Sequence, residues 1–102
     1  MPNPRSQGGR VLDGVLLTSG PYQQITSLVA ATGLTIPDGS ETAIIQAEGQ
    51  AIRWTDDGVT IPTSSVGMIL QAGASIVYNG QLSKFRAIQV AGGAILNVSY
   101  YT

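Results

Sequence analysis

The side chains of this chain that could do chemistry are six carboxylates, its hydroxyls and a few aromatic rings, because it has neither histidine nor cysteine. That absence excludes imidazole bases, thiolate nucleophiles, imidazole or thiolate metal sites, and disulfides. Asp13, Asp38, Glu41, Asp56 and Asp57 stand beside predicted turns, and Glu48 alone falls within a predicted strand. Paired carboxylates can act as acid and nucleophile on a glycosidic bond, so Glu48 with an Asp is the pairing to weigh. Acids scattered over turns carry no such motif, however. Asp56-Asp57-Gly58 could offer oxygens to Ca²⁺, but it lacks the spaced ligands of a calcium loop and reads as a turn. Ser19, Ser64 and Ser65 have no histidine for a triad. No glycine-rich phosphate cradle runs from a strand into a helix. We therefore expect no enzyme, no catalytic residue, no metal and no cofactor.

The aromatic residues suggest binding instead. Exposed rings on a sheet stack on sugars or bases, and Trp54 beside Arg53 and the Tyr100-Tyr101 pair are the candidates. Alternation with Ile52 places Trp54 in the core, with Tyr100 beneath it. Arg53 then lies on the opposite face, within reach of Glu48 across a hairpin, a contact worth about 0.2–1 kcal/mol. Tyr101 is expected on the outward face near the C-terminus, as an interface residue.

Composition limits the partners. A chain of 102 residues suits one domain, which buries roughly 60–70% of its unfolded surface. Only 11% of residues are charged, against about 25% in ordinary soluble domains. With a net charge of −1, the chain offers no basic surface to nucleic acid. Its apolar runs fall short of the ~18 residues of a membrane span, and residues 1–10 lack the apolar centre of a signal peptide. A near-neutral surface favours association. Either exposed Ser, Thr, Gln, Asn and Gly suffice for solubility, or neighbours cover the surface in a permanent assembly; we favour the second.

The elements that position these residues are strands. From Thr42 to Thr55, Ile45 and Ala47 alternate with Ile44, Gln46 and Glu48, and Ile52 and Trp54 with Ala51, Arg53 and Thr55. This is the period of two of half-buried strands, read as a β-hairpin closed at Gly49-Gln50. Tyr22–Thr26 reads as a strand. Residues 27–33 fit either one helical turn or a strand, which periodicity does not decide at this length. Leu34–Ile36 alternates again, and Pro37-Asp-Gly-Ser40 is a turn. Val59–Ser65 is a polar loop containing Pro62. Strands are expected over Met68–Ala72, Ile76–Tyr78, Leu82–Val90 and Ile95–Tyr101. Asn79-Gly80 is the strongest hairpin signal. Seven or eight short strands with turns between them indicate an all-β fold, an antiparallel β-sandwich or jelly-roll-like barrel.

Residues 1–20 are expected to form an N-terminal arm with an exchangeable strand, preceding a β-sandwich domain over 21–102. Arg5 and Arg10 could meet acidic groups on a neighbouring subunit. Val11, Leu12, Val15 and Leu17 lie in a run cut off from the body by Ser19-Gly20-Pro21, and this run could add to another chain's sheet edge.

The run Ala43–Gly58 (AIIQAEGQAIRWTDDG), with Pro62-Thr63, Val66-Gly67-Met68, Ala72-Gly73, Tyr78, Gly80-Gln-Leu-Ser83 and Asn97-Val-Ser-Tyr-Tyr101, resembles a group of small tailed-phage and prophage virion proteins. The likeness extends from near Tyr22 to the end and does not reach the first twenty residues. It implies a jelly-roll-like structural module on the outer surface of the head, made in the host cytoplasm, and brings no catalytic residues. Composition and resemblance together lead us to expect a capsid decoration or cement protein. Its partners would be the major capsid protein and its own copies, as a homotrimer or homodimer. The alternatives are a receptor- or carbohydrate-binding module on a tail or fibre, with a glycan on Trp54, or another tail or connector component.

Overall fold

The computed structural model describes residues 10–12 and 15–102, the first two strands by their backbone alone. Those strands, β1 (Arg10–Leu12) and β2 (Val15–Leu17), pair with each other as an antiparallel hairpin. Eight strands form the body: β3 (Ser19–Ile25), β4 (Thr32–Gly33), β5 (Thr42–Glu48), β6 (Ile52–Thr55), β7 (Met68–Leu70), β8 (Ser75–Tyr78), β9 (Arg86–Gln89) and β10 (Ile95–Tyr101). They make two four-stranded sheets, β3-β10-β5-β8 and β4-β9-β6-β7.

Every pairing is antiparallel. The first body strand pairs with the last, the second with the seventh, the third with the sixth and the fourth with the fifth. The chain is thus one long ribbon folded back on itself and rolled up, which is the jelly-roll arrangement. The expected antiparallel sandwich is what forms.

Alternation along the strands builds the core. Ala43, Ile45 and Ala47 of β5 and Leu96, Val98 and Tyr100 of β10 are buried against Ile52, Leu70 and Ala87 of the second sheet, with Leu28 and Phe85 from the connections. Burial of this one apolar layer is the main term holding the sheets together.

Several pairings differ from the sequence expectation. β5 and β6 do not form a hairpin: at Gly49 the chain crosses from one sheet to the other. Gly49 has φ +82°, and a Cβ there would lie 2.6 Å from the Gly93 carbonyl oxygen. Asn79-Gly80 does not close a hairpin either, since β8 and β9 belong to different sheets and a 3-10 turn at Leu82–Lys84 lies between them. Residues 27–31 form neither helix nor strand, and only Thr32–Gly33 joins a ladder. Ser19-Gly20-Pro21 does not break the chain but lies within β3, where the register with β10 shifts between Ser99 and Tyr101. An edge strand with a bulge tolerates a proline that cannot donate. The run expected to add to another chain's sheet is divided between β1 and β2, which use each other as partners. Thr18 and Thr102 exchange backbone hydrogen bonds of 3.0 and 3.1 Å where the hairpin joins the body.

Candidate docking surface

The long connection between β6 and β7 is folded by its own polar groups. The Asp57 carboxylate accepts hydrogen bonds from the Val59 N–H (2.9 Å), the Thr60 N–H (2.7 Å) and the Thr60 hydroxyl (2.5 Å). These bonds, the Thr60 hydroxyl first, hold its pKa down at about 2. The Thr55 hydroxyl donates to the Thr60 carbonyl at 2.7 Å. Thr63 and Val66 pair across a tight turn, and Arg53 secures it, donating from Nε to the Ser64 carbonyl (3.2 Å) and from Nη1 to the Gly67 carbonyl (2.8 Å).

Between this loop and the sheet lies a cleft of about 310 Å³, lined by Trp54, Asp57, Thr60, Val66 and Met68 among others. Trp54 forms one wall. Its ring stacks on Phe85 at 5.3 Å and meets Tyr78 edge-on at 5.9 Å, so it is anchored in the core and half-buried. The expected contact is with Tyr100, but Tyr100 lies on β10 in the other sheet, where its hydroxyl donates to Gln23 Oε1 at 2.6 Å. Asp56 accepts a 2.9 Å hydrogen bond from the Tyr78 hydroxyl. Both carboxylates of the Asp-Asp pair therefore serve the fold. Among the described residues, no group of three or more His, Cys, Asp or Glu could hold a metal ion.

Aliphatic side chains are exposed here among the polar ones. Val59 is 82% exposed and Met68 62%, and Ile61, Val66 and Ile69 are also exposed. β7 is the outer strand of its sheet, pairing with β6 alone among the described strands. An open edge beside exposed aliphatic side chains is a surface suited to contact with another chain.

The sequence-predicted site residues are dispersed. Glu48 does not meet Arg53; it accepts a 2.9 Å hydrogen bond from Asn97 Nδ2 on the outer face of the first sheet. Tyr101, expected to face outward, is only 5% exposed. In the ladder it pairs with Ser19 of β3 and Thr42 of β5, next to the register shift in β3. Arg10, Val11, Leu12, Val15 and Leu17 lie in the β1–β2 hairpin, and Arg5 lies outside the described residues. The surface that sequence reasoning missed runs from Val59 to Ile69. Val59, Ile61 and Val66 stand in or beside a stretch whose many Thr and Ser residues make it read as a polar loop.

Compared with known proteins, the chain matches no family model, no curated protein and no solved structure.

Proposed function

We propose that this chain is a non-enzymatic structural protein of a tailed-phage virion, a decoration or cement protein that docks on the outside of the head shell. One observation carries the reading: the outer strand β7 carries exposed Met68 and Ile69, and the loop before it exposes Val59, Ile61 and Val66, on a chain with few charges. Such a patch is stabilised by removal from water, at roughly 25 cal/mol per Å² of apolar area covered. A jelly roll supplies a rigid carrier and does not by itself specify a function. The resemblance of Ala43–Gly58 and the closing strand to phage virion proteins supports the shell as the partner.

The mechanism is passive. Each copy bridges neighbouring capsid subunits through the β7 edge, and because it binds the assembled lattice it stabilises that state by mass action. A homotrimer or homodimer suits the local symmetry axes of a shell.

The test is attachment of the purified chain to purified heads. Binding in hundreds of copies, lost in Met68→Lys/Ile69→Lys with the fold intact, is the expected result. A handful of copies per particle would instead indicate a tail or connector part. A chain that stays monomeric at high concentration and binds no particle overturns the proposal.

A further inference from the structure

The outer face of the β3-β10-β5-β8 sheet differs in chemistry from the β7 edge. The registers align Gln24, Asn97, Gln46 and Ser75 in one row across the four strands, and Tyr22, Ser99, Ile44 and Val77 in the next. Asn97 is the hub of this face. Its Oδ1 accepts from the Tyr22 hydroxyl (2.5 Å) and from Gln24 Nε2 (3.0 Å), and its Nδ2 donates to Gln46 Oε1 (3.3 Å) and Glu48 Oε1 (2.9 Å). The four bonds use the whole capacity of its amide. Its neighbours keep capacity to spare: a second N–H on Gln24, both N–H groups of Gln46, and the remaining oxygen of Glu48.

We infer that this face is a binding site for a neutral carbohydrate chain, with Tyr22, Gln24, Gln46 and Ser99 as its contacts and Asn97 as the positioning residue. Four features select that ligand. The strands of this sheet contain a single charged residue, Glu48, and no cation, so neither an anionic polymer nor nucleic acid finds a counter-charge. Amide and hydroxyl groups in a row, with the Glu48 carboxylate beside it, match a polymer whose hydroxyls both donate and accept. Tyr22, 61% exposed, presents an aromatic ring to the apolar face of a sugar. A groove of about 260 Å³, lined by Tyr22, Ile44, Gln46, Ser75, Asn97 and Ser99, runs over the sheet. Because Asn97 pins the amides of Gln24 and Gln46 in the free protein, little ordering remains to be done on binding.

The experiment is a titration of the isotope-labelled full chain, read by backbone and side-chain amide shifts. The probes are maltohexaose, cellohexaose, chitohexaose and mannohexaose, with oligogalacturonate as the acidic control. At least one neutral probe should shift the amides of Gln24, Gln46 and Ser99. Its affinity should fall at least tenfold in Tyr22→Ala and in Gln46→Ala, both at exposed positions where the spectrum away from the face reports an intact fold. Asn97→Ala should weaken binding while leaving the shifts on the same residues. The inference is overturned if no neutral probe shifts these residues at millimolar concentration. It is equally overturned if the shifts map to the Trp54 cleft, if Tyr22→Ala binds normally, or if oligogalacturonate binds as well as the neutral chains.

Discussion

The hydroxyl of Tyr78, on the outer strand β8 of one sheet, donates 2.9 Å to the carboxylate of Asp56, at the end of β6 in the other. It fastens the side of the sandwich where β7 and β8 are the free edges. The opposite side has a counterpart: Gln23 Oε1 on β3 accepts from the Tyr100 hydroxyl at 2.6 Å and from the Thr35 N–H at 3.2 Å, beyond β4. Each open side of the jelly roll is thus laced by a tyrosine. The same tyrosine hydroxyl explains Gly80, where a Cβ would lie 2.7 Å from Tyr78 Cζ.

Both tyrosines make stability fall at high pH. Burial first, then the hydrogen bond and charge of Asp56, push Tyr78 up to about 12, and burial pushes Tyr100 up to about 12. The folded state thus keeps these protons where the unfolded chain, near the ordinary value of 10.0, has lost them. Stability is full below that value and declines as pH rises toward about 12. Urea midpoints measured across this range should show the fall. Tyr78→Phe should cost about 1 kcal/mol at neutral pH and flatten the alkaline decline.

Gly49 and Gly73 separate backbone strain from collision. Both have positive φ, +82° and +84°, but a Cβ at Gly49 meets the Gly93 oxygen at 2.6 Å, whereas nothing lies within 4 Å of one at Gly73. Gly73→Ala should therefore cost only the left-handed penalty, about 1 kcal/mol. Gly49→Ala should cost about 3 kcal/mol, because the crossing between sheets must also move. Equal urea midpoints for the two variants would refute this account.

Trp54 is a core anchor with one exposed side, and its truncation should be read in stability. Its ring contacts with Phe85 and Tyr78 predict that Trp54→Ala costs about 3 kcal/mol. Binding of a neutral glycan to the Tyr22 face should survive in the folded fraction, since Trp54 belongs to the other sheet. Loss of glycan binding with stability unchanged would make Trp54 a ligand platform instead.

The inward positions were legible in the sequence because a strand's period is local. Ile45, Ala47, Phe85, Ala87, Leu96 and Val98 are all buried where alternation places them. So were the turns, one closed by the Asp57 side chain on its own backbone and one at Pro37–Ser40, where the Ser40 backbone N–H reaches the Pro37 carbonyl at 3.2 Å. Pairing partners were not legible. β5 lies between β10 and β8 rather than beside β6, and period says which way a side chain points but not which strand lies alongside. Asn79-Gly80 carries hairpin chemistry, yet Gly80 is explained by a tyrosine hydroxyl. Tyr101 has the parity of an outward residue, yet it is buried, next to the point where the register of β10 with β3 shifts. The outer face around Asn97 was unread because Gln24, Gln46 and Asn97 become neighbours only through long-range register.

The loop beneath the docking surface should loosen in acid before the sandwich does. Asp57 is fully exposed, and its three hydrogen bonds to Val59 and Thr60 lower its pKa from 3.8 to about 2. A depressed folded-state value means that the stabilisation is complete above 3.8 and is lost as pH falls toward about 2. Amide exchange of Val59 and Thr60 should therefore speed up over that interval, while β5 and β10 stay protected. Asp57→Asn should abolish this pH step and leave the loop mobile throughout, since a neutral amide accepts these hydrogen bonds more weakly. Arg53→Ala should free the turn at Ser64–Gly67, because it removes the two bonds that hold the Ser64 and Gly67 carbonyls. With docking through Val59, Met68 and Ile69, both substitutions should weaken shell attachment, and the acid-dependent loss should persist in Arg53→Ala but vanish in Asp57→Asn.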